Sequence, residues 1–175
     1  MSRFHQMTVP VFSSGLSNMS KCLDLIETHA KTKGFDPDSL VQATSDKTTA
    51  CVGWHILTAC DLVVQCIADL TSIQTPSKSP PTDLTVGILR TRITDVLEFL
   101  KTVPADAFEN AMSRVISVTV PPTSERSPLP KSTVMMPAFA YLLQHVQRYF
   151  GGHFSSVIGA LKQFGVPVEQ RDFTR

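Results

Sequence analysis

Residues 10–34 read PVFSSGLSNMSKCLDLIETHAKTKG, and within them Phe12, Leu16, Met19, Leu23 and Ile26 recur at alternating steps of four and three. Steps of that kind place apolar side chains on one stripe of an α-helix and leave the rest of its surface polar. The stripe predicts a long amphipathic helix from about Pro10 to Lys33. Pro10 suits a first-turn position, where the N–H it lacks has no intrahelical partner, and Gly34 stands where a left-handed C-cap is wanted. A short, Asp-capped, Pro-started helix should follow in Phe35-Asp36-Pro37-Asp38-Ser39-Leu40.

Similar stripes lie downstream. Val52, Ile56, Ala59, Val63, Ile67 and Leu70 mark a helix from about Thr49 to Ser72, with Cys60 and Cys66 flanking its apolar face. The run Thr75-Pro76-Ser77-Lys78-Ser79-Pro80-Pro81 ends it and makes a surface connection. Val86, Leu89, Ile93, Val96 or Leu97, and Leu100 carry a third long helix that starts near Thr82 or Asp83 and is closed by Pro104. Its Arg90 and Arg92 read most simply as a solvated face. Val115-Ile116-Ser117-Val118-Thr119-Val120 breaks the helical pattern; β-branched and partly alternating, it reads as a short strand. Pro121-Pro122 stops it, a polar loop spans Thr123 to Pro130, and Lys131 to Met135 returns as a second short strand.

A last helix runs from about Pro137 to Phe164, with Gly165 as C-cap and Pro167 forbidding continuation. The adjacent Gly151-Gly152 inside it cost about 2 kcal/mol of helix propensity relative to alanines, so they ask for a kink, a close helix contact or room for a ligand. Four long amphipathic helices with a strand insertion before the last define an all-α, antiparallel four-helix bundle, a single domain over residues 1–175.

Composition narrows the function. Lys and Arg number 16 against 15 Asp and Glu, for a formal charge of +1, and the basic residues are scattered rather than gathered on one face, which argues against nucleic acid as a partner. Met1-Ser2-Arg3-Phe4-His5-Gln6-Met7 lacks the apolar stretch of about 7 to 15 residues that a secretory signal needs, and no window reaches the roughly 18 apolar residues of a membrane span. A cytoplasmic protein without membrane contact is expected. Cys22, Cys51, Cys60 and Cys66 form no C-x-x-C pair and fall inside helical patterns, so they read as buried free thiols. No G-x-S-x-G elbow, Gly-rich phosphate loop, H-E-x-x-H or Rossmann fingerprint occurs.

Two segments carry a family likeness. Thr8-Val9-Pro10-Val11-Phe12, followed by Gly15-Leu16, Asn18-Met19, Ala30, Gly34 and Asp36-Pro37, and the C-terminal Gly165-Val166-Pro167-Val168-Glu169-Gln170-Arg171-Asp172-Phe173 resemble the two ends of an uncharacterised family of DinB-like (YfiT-like) proteins, known as a domain of unknown function. The resemblance spans essentially the whole chain. It implies a DinB-like bundle whose better-known relatives hold a divalent metal with three histidines, one from the second helix and two from the last at i and i+4, and in some cases transfer small thiols. This sequence departs from that set. Its last helix offers His145 and His153, eight residues and so about 12 Å apart along the axis, too far to share one ion. Gln144 falls where a family histidine would align, and since one residue turns a side chain by about 100°, His145 is no automatic substitute.

His153 occupies a position where the family carries histidine, whereas at His55 the family more often has glutamine. Cys51 stands four residues before His55, so Cys51, His55 and His153 would make a three-ligand site with an open position for zinc, nickel or iron. Alternatively His55 and His153 face each other across the bundle as a metal-free acid–base pair. Tyr149, one turn before His153 and one after His145, is a candidate to orient a substrate oxygen or donate a proton. Arg148 is a candidate anion contact, Asp61 a partner for a neighbouring helix, and Arg171-Asp172 a dock for the tail. The expected function is binding of a small molecule in an inter-helix pocket near His55, Tyr149 and His153, with histidine acid–base chemistry or a degenerate metal site. The alternative is a non-catalytic binding protein or homodimer, favoured by the departure from three histidines and by the 10 phenylalanines available for an interface.

Overall fold

The structure, a computed structural model, describes residues 2–44, 50–76, 83–120 and 132–173. Helix α1 (Arg3–Lys33) starts well before the expected Pro10, because Phe4 and Thr8 extend the buried stripe of Phe12, Leu16, Met19, Leu23 and Ile26 toward the N-terminus. Pro10 is therefore interior, where it removes one backbone bond at a cost of about 3 kcal/mol. Burial of Phe4 under the edge of Phe139, at a ring separation of 6.4 Å, returns about as much. Gly34 closes α1 as expected, at φ 76°, with its N–H donating to Ala30 O at 2.8 Å. The short helix α2 (Pro37–Gln42) is capped by Asp36, whose carboxylate accepts the Asp38 N–H at 3.0 Å.

Helix α3 (Val52–Leu70) begins after Cys51, and the expected start at Thr49 lies outside the described residues. Its 19 residues and mean hydropathy of 1.2 meet the length and composition of a membrane span, a measure that the sequence reading put out of reach. One flank of α3 is buried against the other helices, as a helix central to a bundle must be. Helix α4 (Val86–Thr102) is capped twice: Thr85 Oγ1 accepts the Ile88 N–H at 3.2 Å, and Asp38 Oδ1 accepts the Val86 N–H at 2.8 Å. Most of the Pro-rich connection before it, residues 77–82, is outside the described residues.

Strands β1 (Val115–Val120) and β2 (Ser132–Pro137) form an antiparallel hairpin in the register Val115↔Pro137, with Ile116 and Val118 turned into the core. The polar loop expected from Thr123 to Pro130 is again outside the described residues. The final helix then runs without a break through α5 (Ala138–Ala140), a π-helical stretch Tyr141–Gln147 and α6 (Arg148–Gln163). Helix α1 packs on α4 and α6, and α3 packs on the same two. Contacts of His55 with His153 and of Asp69 with Tyr141 show that α3 and the final helix run antiparallel.

This packing corrects or narrows three expectations. Arg90 and Arg92 are not merely solvated: Arg90 bridges Asp24 and Glu27 of α1 at 2.8 and 2.7 Å, and Arg92 binds Asp61 of α3 at 2.7 Å, so α4 is stitched to both neighbours. Gly151 and Gly152 are exposed, and a Cβ on either would meet nothing within 4 Å, so no close helix contact requires them. The close contact is at Gly15, where a Cβ would lie 2.6 Å from Phe150 Cζ and nearer still to Cε1. Cys22, Cys60 and Cys66 are buried free thiols as expected, and burial pushes Cys22 and Cys60 up to about 12. Cys51 is half-exposed and precedes its helix.

Candidate functional site

His55 projects from the first turns of α3 and His153 from α6, and the packing of these helices sets their Nδ1 atoms 3.1 Å apart. Their ring centroids are 5.4 Å apart. An imidazole has a radius of about 1.15 Å, so the two distances together require the Nδ1 vectors to lie nearly on one line, which is the arrangement of an N–H···N hydrogen bond. One Nδ1 donates and the other accepts. The donor ring then carries its free lone pair on Nε2, while the acceptor ring carries its proton on Nε2. The neutral pair thus displays one base and one acid, linked through a shared hydrogen.

Burial lowers His55 below the ordinary imidazole value, and burial followed by the neighbouring charge of His55 lowers His153. Both effects favour the neutral pair at neutral pH. Trp54 stands against both rings, 5.2 Å from His55 and 5.5 Å from His153, and remains 46% exposed. It supplies an open aromatic wall beside the two imidazoles.

A second cluster lies at the other end of α3. Tyr141 is buried and donates its hydroxyl hydrogen to Asp69 Oδ2 at 2.6 Å, while Gln65 Nε2 donates to Oδ1 at 2.9 Å. Burial and then this bond raise Tyr141 far above the usual phenol range. His145 stacks on Tyr141 at 5.7 Å and meets Tyr149 at 4.8 Å, and burial lowers it against the opposing pull of Asp69. Tyr149 therefore packs with His145 instead of completing the His55–His153 pair. Tyr141 and Asp69 were not singled out from the sequence, although Tyr141 shares the four-residue spacing of His145, Tyr149 and His153.

The other sequence candidates fall as follows. Arg148 and Gln144 are exposed on the last helix, and Asp61 holds Arg92. Asp172 accepts the Glu169 N–H at 2.8 Å, which fixes the tail turn; the Arg171 side chain lies outside the described residues. A cleft among the described residues is lined by Phe154, Ile158, Lys162 and Phe173 and includes none of His55, Tyr149 and His153.

A helical bundle with a two-stranded hairpin before its last helix defines a DinB-like fold. The chain matches the crystal structure of a DinB family member protein from Shewanella denitrificans with a TM-score of 0.82, over 98% of this chain and 92% of that chain, at 24% identity. The chain belongs to the family described as Domain of unknown function (DUF1993), which matches residues 4–174. No curated protein matches it.

The three-histidine metal set implied by the resemblance is not reproduced. Among the described residues no group of three or more His, Cys, Asp or Glu side chains is placed to hold a metal ion. Cys51 is the extended residue before α3, at φ -72° and ψ 164°, and its carbonyl accepts the His55 N–H at 3.2 Å. Ring direction points the same way. Two imidazoles aimed at one ion through bonds of about 2.05 Å would, at this nitrogen spacing, bring their centroids to about 4.8 Å. The observed 5.4 Å has the rings aimed at each other.

Proposed function

We propose that this chain binds a small molecule beside Trp54 and that the His55–His153 pair serves it as a metal-free acid–base couple. The observation that carries the reading is the collinear Nδ1···Nδ1 contact of 3.1 Å between two half-buried rings. In this reading the unprotonated Nε2 takes a proton from the ligand. The Nδ1 hydrogen moves across the shared bond, and the second ring releases its Nε2 proton. Each ring returns to neutrality in the opposite tautomer, so no isolated imidazolium is left in the half-buried site. Trp54 provides a flat apolar face for the ligand's body.

Nitrogen-15 spectra of labelled imidazoles test this directly. Two complementary tautomers joined by one downfield Nδ1 proton, unchanged by chelator, are expected for the native protein, and His153→Gln should abolish that resonance while the fold persists. Two independent imidazoles, or a spectrum that collapses on metal removal, would sink the proposal. Ligands can then be sought through the emission of Trp54, the one tryptophan of the chain.

A second reading is favoured by Met112 and Met135, 65% and 61% exposed, which stand with Val115 and Phe139 around the hairpin and its flanks. Such apolar exposure suits contact with a second copy of the chain. Light scattering separates the two: a dimer that Met135→Glu dissociates supports the interaction reading, and a monomer at micromolar concentration removes it.

A further inference from the structure

The last turns of α6 and the tail that folds back after Gly165 border an open cleft of about 520 Å³, within the size range of small-molecule sites. The tail is held firmly enough to serve as a wall. Gly165, at φ 76°, reverses the chain and donates to Lys162 O at 3.1 Å. Val166 plugs into the core while its N–H bonds Leu161 O at 2.9 Å, and Phe173 packs edge-on against Phe154 at 5.6 Å. Phe154, Ile158, Val168 and Phe173 make the walls apolar. Gly159 opens the floor: a Cβ there would meet no atom within 4 Å.

Two charges stand in the lining. Lys162 has no ion-pair partner among the described residues, and Glu169 belongs to the tail wall. An apolar body would lie against the phenylalanines, and one negative group would meet the Lys162 ammonium. We infer that this cleft binds an apolar anion, of the class of medium-chain carboxylates, independently of the histidine pair.

Titration of the labelled full-length chain with decanoate, followed by amide chemical shifts, tests the inference, with decanol and decylamine as the neutral and cationic comparisons. Saturable shifts centred on Ser155, Gly159, Lys162 and Val168 are expected. Lys162→Gln should weaken decanoate about threefold or more, the size of an exposed charge pair, and leave decanol unchanged. Gly159→Leu should fill the floor and weaken both at least tenfold without lowering the thermal midpoint, since leucine is the better helix former. Absence of saturable shifts, decylamine or decanol binding as tightly as decanoate, or full affinity in Gly159→Leu would each overturn it.

Discussion

Gly15→Ala tests how α6 is held in place behind the site. The added Cβ would lie 2.6 Å from Phe150 Cζ, whereas ordinary contact is 3.4–4 Å, so the ring must retreat by about 1 Å. It has little room, being 7% exposed and held edge-on by the fully buried Phe12 at 5.3 Å. Overpacking of this kind costs about 1–3 kcal/mol, here toward the upper end, against about 1 kcal/mol gained by replacing a helical glycine with alanine. The net expectation is a loss of about 2 kcal/mol, or about 4–8 °C in the thermal midpoint of a chain this size. Phe150→Leu removes both clashing atoms, Cε1 and Cζ, so in that background Gly15→Ala should stabilise by about 1 kcal/mol. Urea denaturation of the four proteins, followed by far-ultraviolet circular dichroism, measures both signs. A Gly15→Ala change that is neutral in the native background, or equally harmful in both, refutes the assigned contact. Because α6 also carries His153, the same substitution should shift the Nδ1 proton resonance of the histidine pair.

Other outcomes follow from the same contacts. His55, His145 and His153 are all lowered below 6.5, so just below pH 6.5 the unfolded chain binds more protons than the folded one. Their contribution is therefore complete above pH 6.5 and is lost as pH falls through the folded values; urea midpoints should drop as pH falls below about 6.5, and less steeply in His153→Gln. A flat profile counts against the burial of these rings. Arg92→Ala should cost about 1 kcal/mol, because the Asp61 pair at 2.7 Å is only partly screened, with side chains 18% and 43% exposed; a cost that high salt leaves unchanged would argue against an ion pair. Protein expressed with added zinc, nickel and iron should carry well under one ion per chain by elemental analysis, and stoichiometric metal bound through His55 and His153 would defeat the metal-free reading.

What the sequence disclosed was local. The stripes of α1, α3 and α4 and the caps Gly34, Asp36 and Gly165 depend on near neighbours, and they stand where the spacing put them. Pro10 misled because its lost donor is visible in sequence, whereas the burial of Phe4 against Phe139 is a tertiary matter. Arg90 and Arg92 misled for the same reason: their carboxylates lie 31 to 66 residues away. The two histidines were visible as a possible pair or as metal ligands, whereas the direction of their rings is a property of the packed rotamers.

The winding of the last helix sets which of its rings meet. In α winding a step of four residues overshoots a full turn by about 40°, and in π winding it falls short of one. The step from Tyr141 to His145 lies in the π stretch, and the steps onward to Tyr149 and His153 lead into α6. The shortfall and the first overshoot nearly cancel, which keeps Tyr141, His145 and Tyr149 in one column anchored by Asp69. The next step adds about 40° and one further turn along the axis, where His153 meets His55. Uniform α periodicity would spread the same four residues progressively round the axis. His145, stacked on Tyr141 and about 12 Å from His153 along the axis, is held away from the pair that a third ligand would have to join.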